Sequence, residues 1–190
     1  MTQNFRLLLL LLMILTVFAC NTAANNEEDN DEDEVENITG TEDESDYQFS
    51  ATGATQITLN GSNATITGTG ATAEGSKVTI TSKGTYVISG TLASGQLVVK
   101  TDDTDAVKLV LNGVNITNTT TSPLFVDKAV KVILILADNT NNVFTDGANY
   151  SEVDEGQNAV VYSQAYLSVF GSGTLTVTGK YKDGISGKDG

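Results

Sequence analysis

Aspartates that stand directly before a glycine are the residues of this chain whose type and spacing best suit metal chemistry. Asp146, Asp183 and Asp189 are each followed by glycine, which lets the backbone turn so that carbonyl oxygens can join the carboxylate. Calcium takes about 6–8 such oxygen ligands. The three aspartates are therefore candidate calcium ligands, and calcium is the expected cofactor. An Asp-Gly pair is equally typical of an ordinary tight turn, and that alternative stays open.

The composition excludes several classes of catalytic site. The chain has no histidine and a single cysteine, Cys20, which excludes Ser-His-Asp and Cys-His devices and a histidine zinc site. No cationic stripe is present and aromatic residues are few, so the chain lacks the signature of a nucleic-acid-binding protein. We predict no catalytic residue.

Tyrosines and lysines in predicted turns are candidates for binding sugars. Exposed aromatic rings can stack on pyranose faces, and lysines can pair with the carboxylates of uronic acids. Tyr150, Tyr181, Lys180 and Lys182 lie in or near turns and form the predicted carbohydrate-binding set. Tyr86 falls within strand alternation and is predicted to be a core residue.

The amino terminus has the features of an export signal. Arg6 precedes a largely apolar run at residues 7–19, which is too short for a membrane span of roughly 20 residues. The run ends in VFAC at residues 17–20, which resembles the bacterial lipobox. We therefore predict a lipoprotein signal peptide at residues 1–20, with lipid attached to Cys20. This predicts a protein anchored through that lipid in the cell envelope, at the outer membrane.

An acidic segment follows the predicted lipidation site. Residues 21–50 hold 12 of the 24 carboxylates and no cation, and such a like-charge block repels itself and buries little apolar surface. We predict a disordered tether over residues 21–50. Its position resembles the surface-export signals of Bacteroidetes lipoproteins, which implies exposure at the cell surface. The body, residues 51–190, keeps 12 acidic and 9 basic residues, a net charge of only −3.

The body reads as a series of short strands. Apolar, β-branched residues alternate with polar ones in short runs that Gly, Asn, Ser, Thr and Asp separate. Four strand-turn-strand segments, beginning at Lys77, Lys108, Lys131 and Tyr166, look like irregular copies of one unit. Irregular repeats favour an all-β right-handed parallel β-helix over a propeller. A sandwich of β-hairpins is the alternative that the pattern leaves open.

Several motifs in order carry a family resemblance. KGTYVISGTLASGQLVV at residues 83–99, KLVLNGVNIT at 108–117, DNTNNVFTDG at 138–147 and GSGTLTVTGKYKDGISGKD at 171–189 resemble carbohydrate-binding domain-containing lipoproteins related to a clostridial cellulose- and polygalacturonate-binding protein. The resemblance implies a pectate-lyase-like parallel β-helix, bound calcium and affinity for acidic polysaccharide. Because coils continue past the DGI segment in such proteins, we expect residues 51–190 to be the N-terminal part of a domain truncated at its C-terminal end.

Together these features predict non-catalytic binding of extracellular polysaccharide, either acidic and polygalacturonate-like or cellulosic, supported by calcium. Two alternatives remain open at this point. One is a calcium-dependent polysaccharide lyase, in which Lys180 or Lys182 beside Asp183 would act as the base. The other is a structural surface adhesin without glycan specificity.

Overall fold

The structure, a computed structural model, describes residues 43–151 and 156–187. Within these residues a short 3-10 helix, Glu44–Tyr47, precedes fourteen strands that form two sheets. Sheet A contains β1 (Thr55–Gly61), β2 (Ala64–Thr67), β5 (Gly84–Leu92), β7 (Val107–Asn118), β9 (Lys131–Leu136), β10 (Asn141–Asp146), β12 (Tyr166–Gly171) and β13 (Thr174–Thr178). Sheet B contains β3 (Ala71–Glu74), β4 (Lys77–Ile80), β6 (Gln96–Lys100), β8 (Leu124–Lys128), β11 (Ala159–Ser163) and β14 (Asp183–Gly187). No helix in the described part of the chain is long and apolar enough to cross a membrane.

The alternation of apolar and polar residues predicted the strands correctly, and the all-β class is confirmed. In β1, for example, Ile57 and Leu59 are buried while Gln56 and Thr58 between them are exposed. Successive side chains of a strand point to opposite faces, so this alternation places one face against a core. Tyr86, the predicted core tyrosine, is buried, and its hydroxyl lies 2.7 Å from the carbonyl oxygen of Ser82.

The prediction of a right-handed parallel β-helix is wrong. The described strands form two open, mixed sheets. Sheet A has the order β12-β9-β7-β5-β1-β2, with β10 paired to both β7 and β13, and sheet B has the order β14-β11-β8-β6-β4-β3. Most neighbouring strands are parallel, but β1 pairs with β2 and β3 with β4 in antiparallel hairpins. The tight turn between β3 and β4 contains Gly75 at φ +58°, a conformation that favours glycine. Strand periodicity does not reveal such chain reversals, and the β-helix prediction missed them.

One apolar core collects the inward-facing side chains of both sheets. It includes Leu109 and Leu111 of β7 and Leu97 of β6, all fully buried. Burying such a side chain stabilises the fold by roughly 1.5–3 kcal/mol. A separate apolar cluster of Val110, Ile133 and Ile135 also belongs to sheet A. Because Val110 alternates with Leu109 and Leu111 along β7, this cluster lies on the opposite, outer face of the sheet.

The last residues of the predicted tether pack against sheet A. We call residues 43–50 the N-terminal strap. Its buried Asp46 lies 2.5 Å from Nζ of Lys131 in an ion pair, and the ring of Tyr47 meets Phe170 edge-on with centroids 5.3 Å apart. The predicted tether, residues 21–50, therefore includes at its C-terminal end residues that contact sheet A, which the acidic pattern alone does not show. The rest of the tether, residues 21–42, lies outside the described residues, as does Cys20.

Candidate functional site

Four chain segments run from sheet A to sheet B at the same end of the strands. These connections follow β5, β7, β10 and β13 and lead into β6, β8, β11 and β14; their described residues are 93–95, 119–123, 147–151 with 156–158, and 179–182. Because the strands before and after them pair in parallel register, for example Thr145 with Thr178 and Ala159 with Asp183, the connections lie side by side. We call this edge of the molecule the A-to-B corner.

Asp146, the last residue of β10, ties two of these connections together. Its side chain is fully buried. The Oδ1 atom accepts a hydrogen bond of 2.6 Å from the backbone N–H of Lys180, and Oδ2 lies 2.9 Å from the hydroxyl of Tyr150. A buried carboxylate needs such donors because burial without them is costly. The connection after β10 and the connection after β13 are therefore joined by one side chain.

The hydroxyl of Tyr150 is held in the interior of the corner. It lies 3.0 Å from the carbonyl oxygen of Ala159 as well as beside Asp146, and its single proton can be donated to one of them at a time. Burial, and then the hydrogen bond to Asp146, raises the pKa of Tyr150 far above its ordinary value. The hydroxyl is therefore protonated at neutral pH and acts as a donor.

The two predicted tyrosines stack on each other. The rings of Tyr150 and Tyr181 are 4.4 Å apart between centroids and inclined by 21°, and Nζ of Lys182 lies 5.1 Å from the centre of the Tyr181 ring. Both rings are half-buried, whereas the side chains of Lys180 and Lys182 are exposed. The structure thus places the rings of Tyr150 and Tyr181 and the ammonium of Lys182 together, with the backbone of Lys180 beside Asp146. The result is an aromatic surface with a cation next to it.

Two of the three predicted calcium ligands, Asp146 and Asp183, lie in the described part of the chain. Both oxygens of Asp146 already accept hydrogen bonds from the protein. Asp183 is the exposed first residue of β14, and its backbone N–H donates to the carbonyl oxygen of Asn158. Asp189 lies outside the described residues. Over residues 43–151 and 156–187 no group of three or more acidic, histidine or cysteine side chains comes together, so within these ranges a calcium ion would also need carbonyl, amide or ligand oxygens.

Sequence reasoning missed a set of buried amides at the same corner. Gln96 Nε2 donates to the carbonyl oxygen of Ser122 at 2.9 Å, and Gln157 Oε1 accepts from Thr121 Oγ1 at 2.7 Å. Asn118 Nδ2 donates to the carbonyl oxygen of Gly95 at 2.9 Å. Gln96 begins β6, whereas Gln157 lies two residues before β11, and no local sequence pattern distinguishes either of them.

Known proteins share both the sequence and the fold of this region. A family model described as "Carbohydrate-binding domain-containing protein" matches residues 74–190. The chain belongs to the carbohydrate-binding domain-containing protein family. This carbohydrate-binding domain is 41% identical, over 113 residues, to a protein of the same description from Acetivibrio thermocellus, a match that covers 57% of the chain and 39% of that relative.

A solved structure also resembles the carbohydrate-binding domain. It is described as a polysaccharide lyase-like protein from C. thermocellum, in a gadolinium derivative, and it matches with a TM-score of 0.67 and 34% sequence identity. The match covers 70% of the chain and 56% of the solved structure. The chain therefore spans well under two thirds of the length of both the curated relative and the solved structure.

Proposed function

We propose that the A-to-B corner binds extracellular polysaccharide without catalysing its cleavage. The observation that carries this proposal is the stacked pair Tyr150–Tyr181 with Lys182 beside it. An aromatic face offers a sugar ring a large, rigid contact at low entropic cost, and the ammonium groups of Lys180 and Lys182 can pair with carboxylates of an acidic polymer. Membership of the carbohydrate-binding domain family supports the ligand class.

Lys180 and Lys182 bear on the kind of polysaccharide. The chain carries a net charge of −14, of which residues 51–190 contribute only −3, so the repulsion of an acidic polymer comes mainly from the acidic residues 21–50. Lys180 and Lys182 are the sequence neighbours of Tyr181, and their ammonium groups can attract the carboxylates of such a polymer. We therefore favour an acidic, polygalacturonate-like ligand, with a neutral, cellulosic polymer as the comparison ligand.

The predicted place of action follows from the amino terminus. A lipid on Cys20 would hold the domain in the cell envelope, and an acidic tether would keep it away from the anionic membrane surface. This anchoring is part of the proposal. It makes extracellular polysaccharide an accessible ligand.

Retention on immobilised polysaccharide tests the proposal. Tyr181→Ala should weaken retention on polygalacturonate roughly tenfold, about 1.4 kcal/mol, because the stacking surface is lost, whereas Tyr181→Phe should retain most of it. Tyr166→Ala is the matched control, since Tyr166 is an exposed tyrosine on β12, away from the corner. Equal retention of wild type, Tyr181→Ala and Tyr166→Ala would contradict the proposal.

A polysaccharide lyase is the second candidate. The solved neighbour described as polysaccharide lyase-like favours it, and Lys180 and Lys182 lie at the aromatic surface where a base would have to stand. Incubation with polygalacturonate distinguishes the two candidates, because a lyase releases unsaturated products that absorb in the ultraviolet. We expect no such release if the protein only binds the polymer. A steady rise in ultraviolet absorbance would show that the protein is a lyase.

A further inference from the structure

Among the described residues, the lysines whose ammonium groups make neither an ion pair nor a hydrogen bond lie at one edge of the molecule. Five of the eight lysines in residues 43–151 and 156–187 are engaged, in ion pairs with Asp105, Asp127, Asp102 and Asp46 or in hydrogen bonds to strap carbonyl groups. The remaining three in these ranges are Lys77, Lys180 and Lys182, and all of them lie along the A-to-B corner. Two of them flank the tyrosine pair, and the third, Lys77, has no role in the proposed site.

Lys77 stands at the far end of this corner from the tyrosines. It is the exposed first residue of β4, level with Gln96 at the start of β6. Four strand spacings separate β4 from β14 in sheet B, which is about 19 Å at about 4.8 Å each. Glu74 faces Lys77 across the β3–β4 hairpin, but no ion pair forms between them. A ligand reaching from Tyr181 to Lys77 must therefore be an oligosaccharide rather than a single sugar.

A polar cavity lies beside Lys77, on the side toward the tyrosine pair. Its volume is about 320 Å³, at the lower end of the range of small-molecule sites. Among the described residues, hydroxyl and amide side chains form most of its wall and none of the lining residues is a carboxylate; they include Lys77, Ser94, Gln96, Asn118, Thr121 and Gln157. Sugar hydroxyl groups both donate and accept hydrogen bonds, which is the chemistry that such a wall offers.

The walls of this cavity are held in place before any ligand arrives. Gln96, Asn118 and Gln157 are buried, and their amides join the starts and ends of strands that are distant in sequence. Gln96 Nε2, for example, reaches Gln157 Oε1 at 3.3 Å across 61 residues of chain. A preformed site loses little conformational entropy on binding.

We propose that Lys77 and this cavity form a second sugar subsite, which takes a uronic acid unit of an acidic oligosaccharide. The oligosaccharide lies across the strands, along the A-to-B corner, with another unit on the Tyr150–Tyr181 pair. The Lys77 ammonium pairs with the carboxylate of the sugar, and the hydroxyl and amide wall receives its hydroxyl groups. This inference rests on the proposed function of the tyrosine pair and names the charge and the direction of the ligand.

Calorimetry of the full chain with hexagalacturonate and with cellohexaose tests the second subsite. Lys77→Gln should weaken the binding of hexagalacturonate about fivefold and leave the binding of cellohexaose unchanged, because only hexagalacturonate has carboxylates that can pair with the lysine. Lys128→Gln is the matched control: it also removes an exposed lysine charge, but its partner is Asp102, outside the corner. Affinities for hexagalacturonate that agree within about twofold between wild type and Lys77→Gln would overturn the proposal.

A protection experiment gives a second, independent measurement. Bound hexagalacturonate should shield Lys77 from an amine-acetylating reagent, as read by mass spectrometry, whereas monogalacturonate should shield it much less. Lys128 serves as the internal reference. Acetylation of Lys77 that is unaffected by saturating hexagalacturonate would exclude contact at the second subsite.

The two proposals fail in distinguishable ways. If Tyr181→Ala weakens the binding of hexagalacturonate and Lys77→Gln does not, the tyrosine surface stands and the second subsite is wrong. If Lys77→Gln weakens binding and Tyr181→Ala does not, the cavity binds the ligand and the tyrosine surface is wrong. If neither substitution has an effect, both proposals are wrong.

Discussion

The ring of Tyr150 lies against the ring of Tyr181, with centroids 4.4 Å apart, although the two residues belong to different connections between the sheets. This contact depends on Asp146, which accepts hydrogen bonds from the Tyr150 hydroxyl and from the backbone of Lys180. The aromatic surface is therefore positioned by a buried carboxylate that need not touch a ligand itself.

Asp146→Ala should lower both stability and retention. Two donors in a buried place lose their acceptor, at a cost of about 1–3 kcal/mol each, and the melting temperature should fall by several degrees. Asp183→Ala is the control for stability alone, because Asp183 is exposed and surface substitutions usually change stability by less than about 0.5 kcal/mol. Thermal unfolding followed by circular dichroism measures both. Similar melting temperatures for the two variants would contradict the positioning role.

Tyr150→Phe should change the stability of the protein at alkaline pH. The pKa of Tyr150 is raised in the folded state from an ordinary value of 10.0, so the folded state keeps a proton that the unfolded state releases. The contribution of the Tyr150 proton to the free energy of unfolding is fully present below about pH 10, and it is lost as the pH rises through the pKa of Tyr150 in the folded state. Urea unfolding from pH 8 to 11 should therefore show a steeper decline for wild type than for Tyr150→Phe. Parallel declines would show that Tyr150 does not carry this effect.

Truncation should locate the boundary between tether and domain. Deleting residues 21–42 should leave the melting temperature nearly unchanged, whereas deleting residues 21–50 should lower it by several degrees. The longer deletion removes the Asp46–Lys131 ion pair and the Tyr47–Phe170 ring contact, and it uncovers apolar side chains such as Phe170. Identical melting temperatures for the two deletions would show that the strap adds no stability.

Calcium support stays a prediction, and a chelator tests it. Retention on polygalacturonate should fall when calcium is chelated and return when calcium is restored, and Asp183→Ala should weaken it. Asp146→Asn should leave the calcium dependence itself intact, because both Asp146 oxygens already accept protein hydrogen bonds. Retention that a chelator does not change would remove calcium from the proposed function.

Lipidation of Cys20 is predicted from the VFAC ending of the apolar run. Metabolic labelling with a palmitate analogue should mark the wild type and leave Cys20→Ser unmarked. Because the chain has no other cysteine, the variant has no alternative thiol to acylate. Equal labelling of both proteins would refute the lipobox interpretation.

The positions of the strands were predictable, and their directions were not. Alternation such as that of Ile57 and Leu59 reports one buried face of a strand. It does not report which neighbour pairs with the other edge, or whether the chain reverses. The reversal between β3 and β4 depends on a two-residue turn at Gly75 and Ser76, and the sequence holds many similar glycines where no such hairpin forms.

The candidate site was predictable only in part for a related reason. Tyr150 and Tyr181 could be selected because turn residues are exposed and aromatic rings bind sugars, and the structure places them in contact. The hydrogen bonds of Asp146 were not predictable, because one of its donors, the backbone of Lys180, lies 34 residues away in the chain. Gln96 and Gln157 meet across 61 residues, a distance over which no local pattern carries information.

The A-to-B corner also separates what holds the fold from what meets the ligand. The strands supply the core, whereas Tyr150, Tyr181, Lys180 and Lys182 lie in the connections between sheets. Connections on a protein surface tolerate replacement better than strands do. Exchanging residues 147–158, the longest of the four connections, should therefore change which sugars are bound while the sheets survive. The corner is the natural place from which to evolve or engineer new glycan specificity on this scaffold.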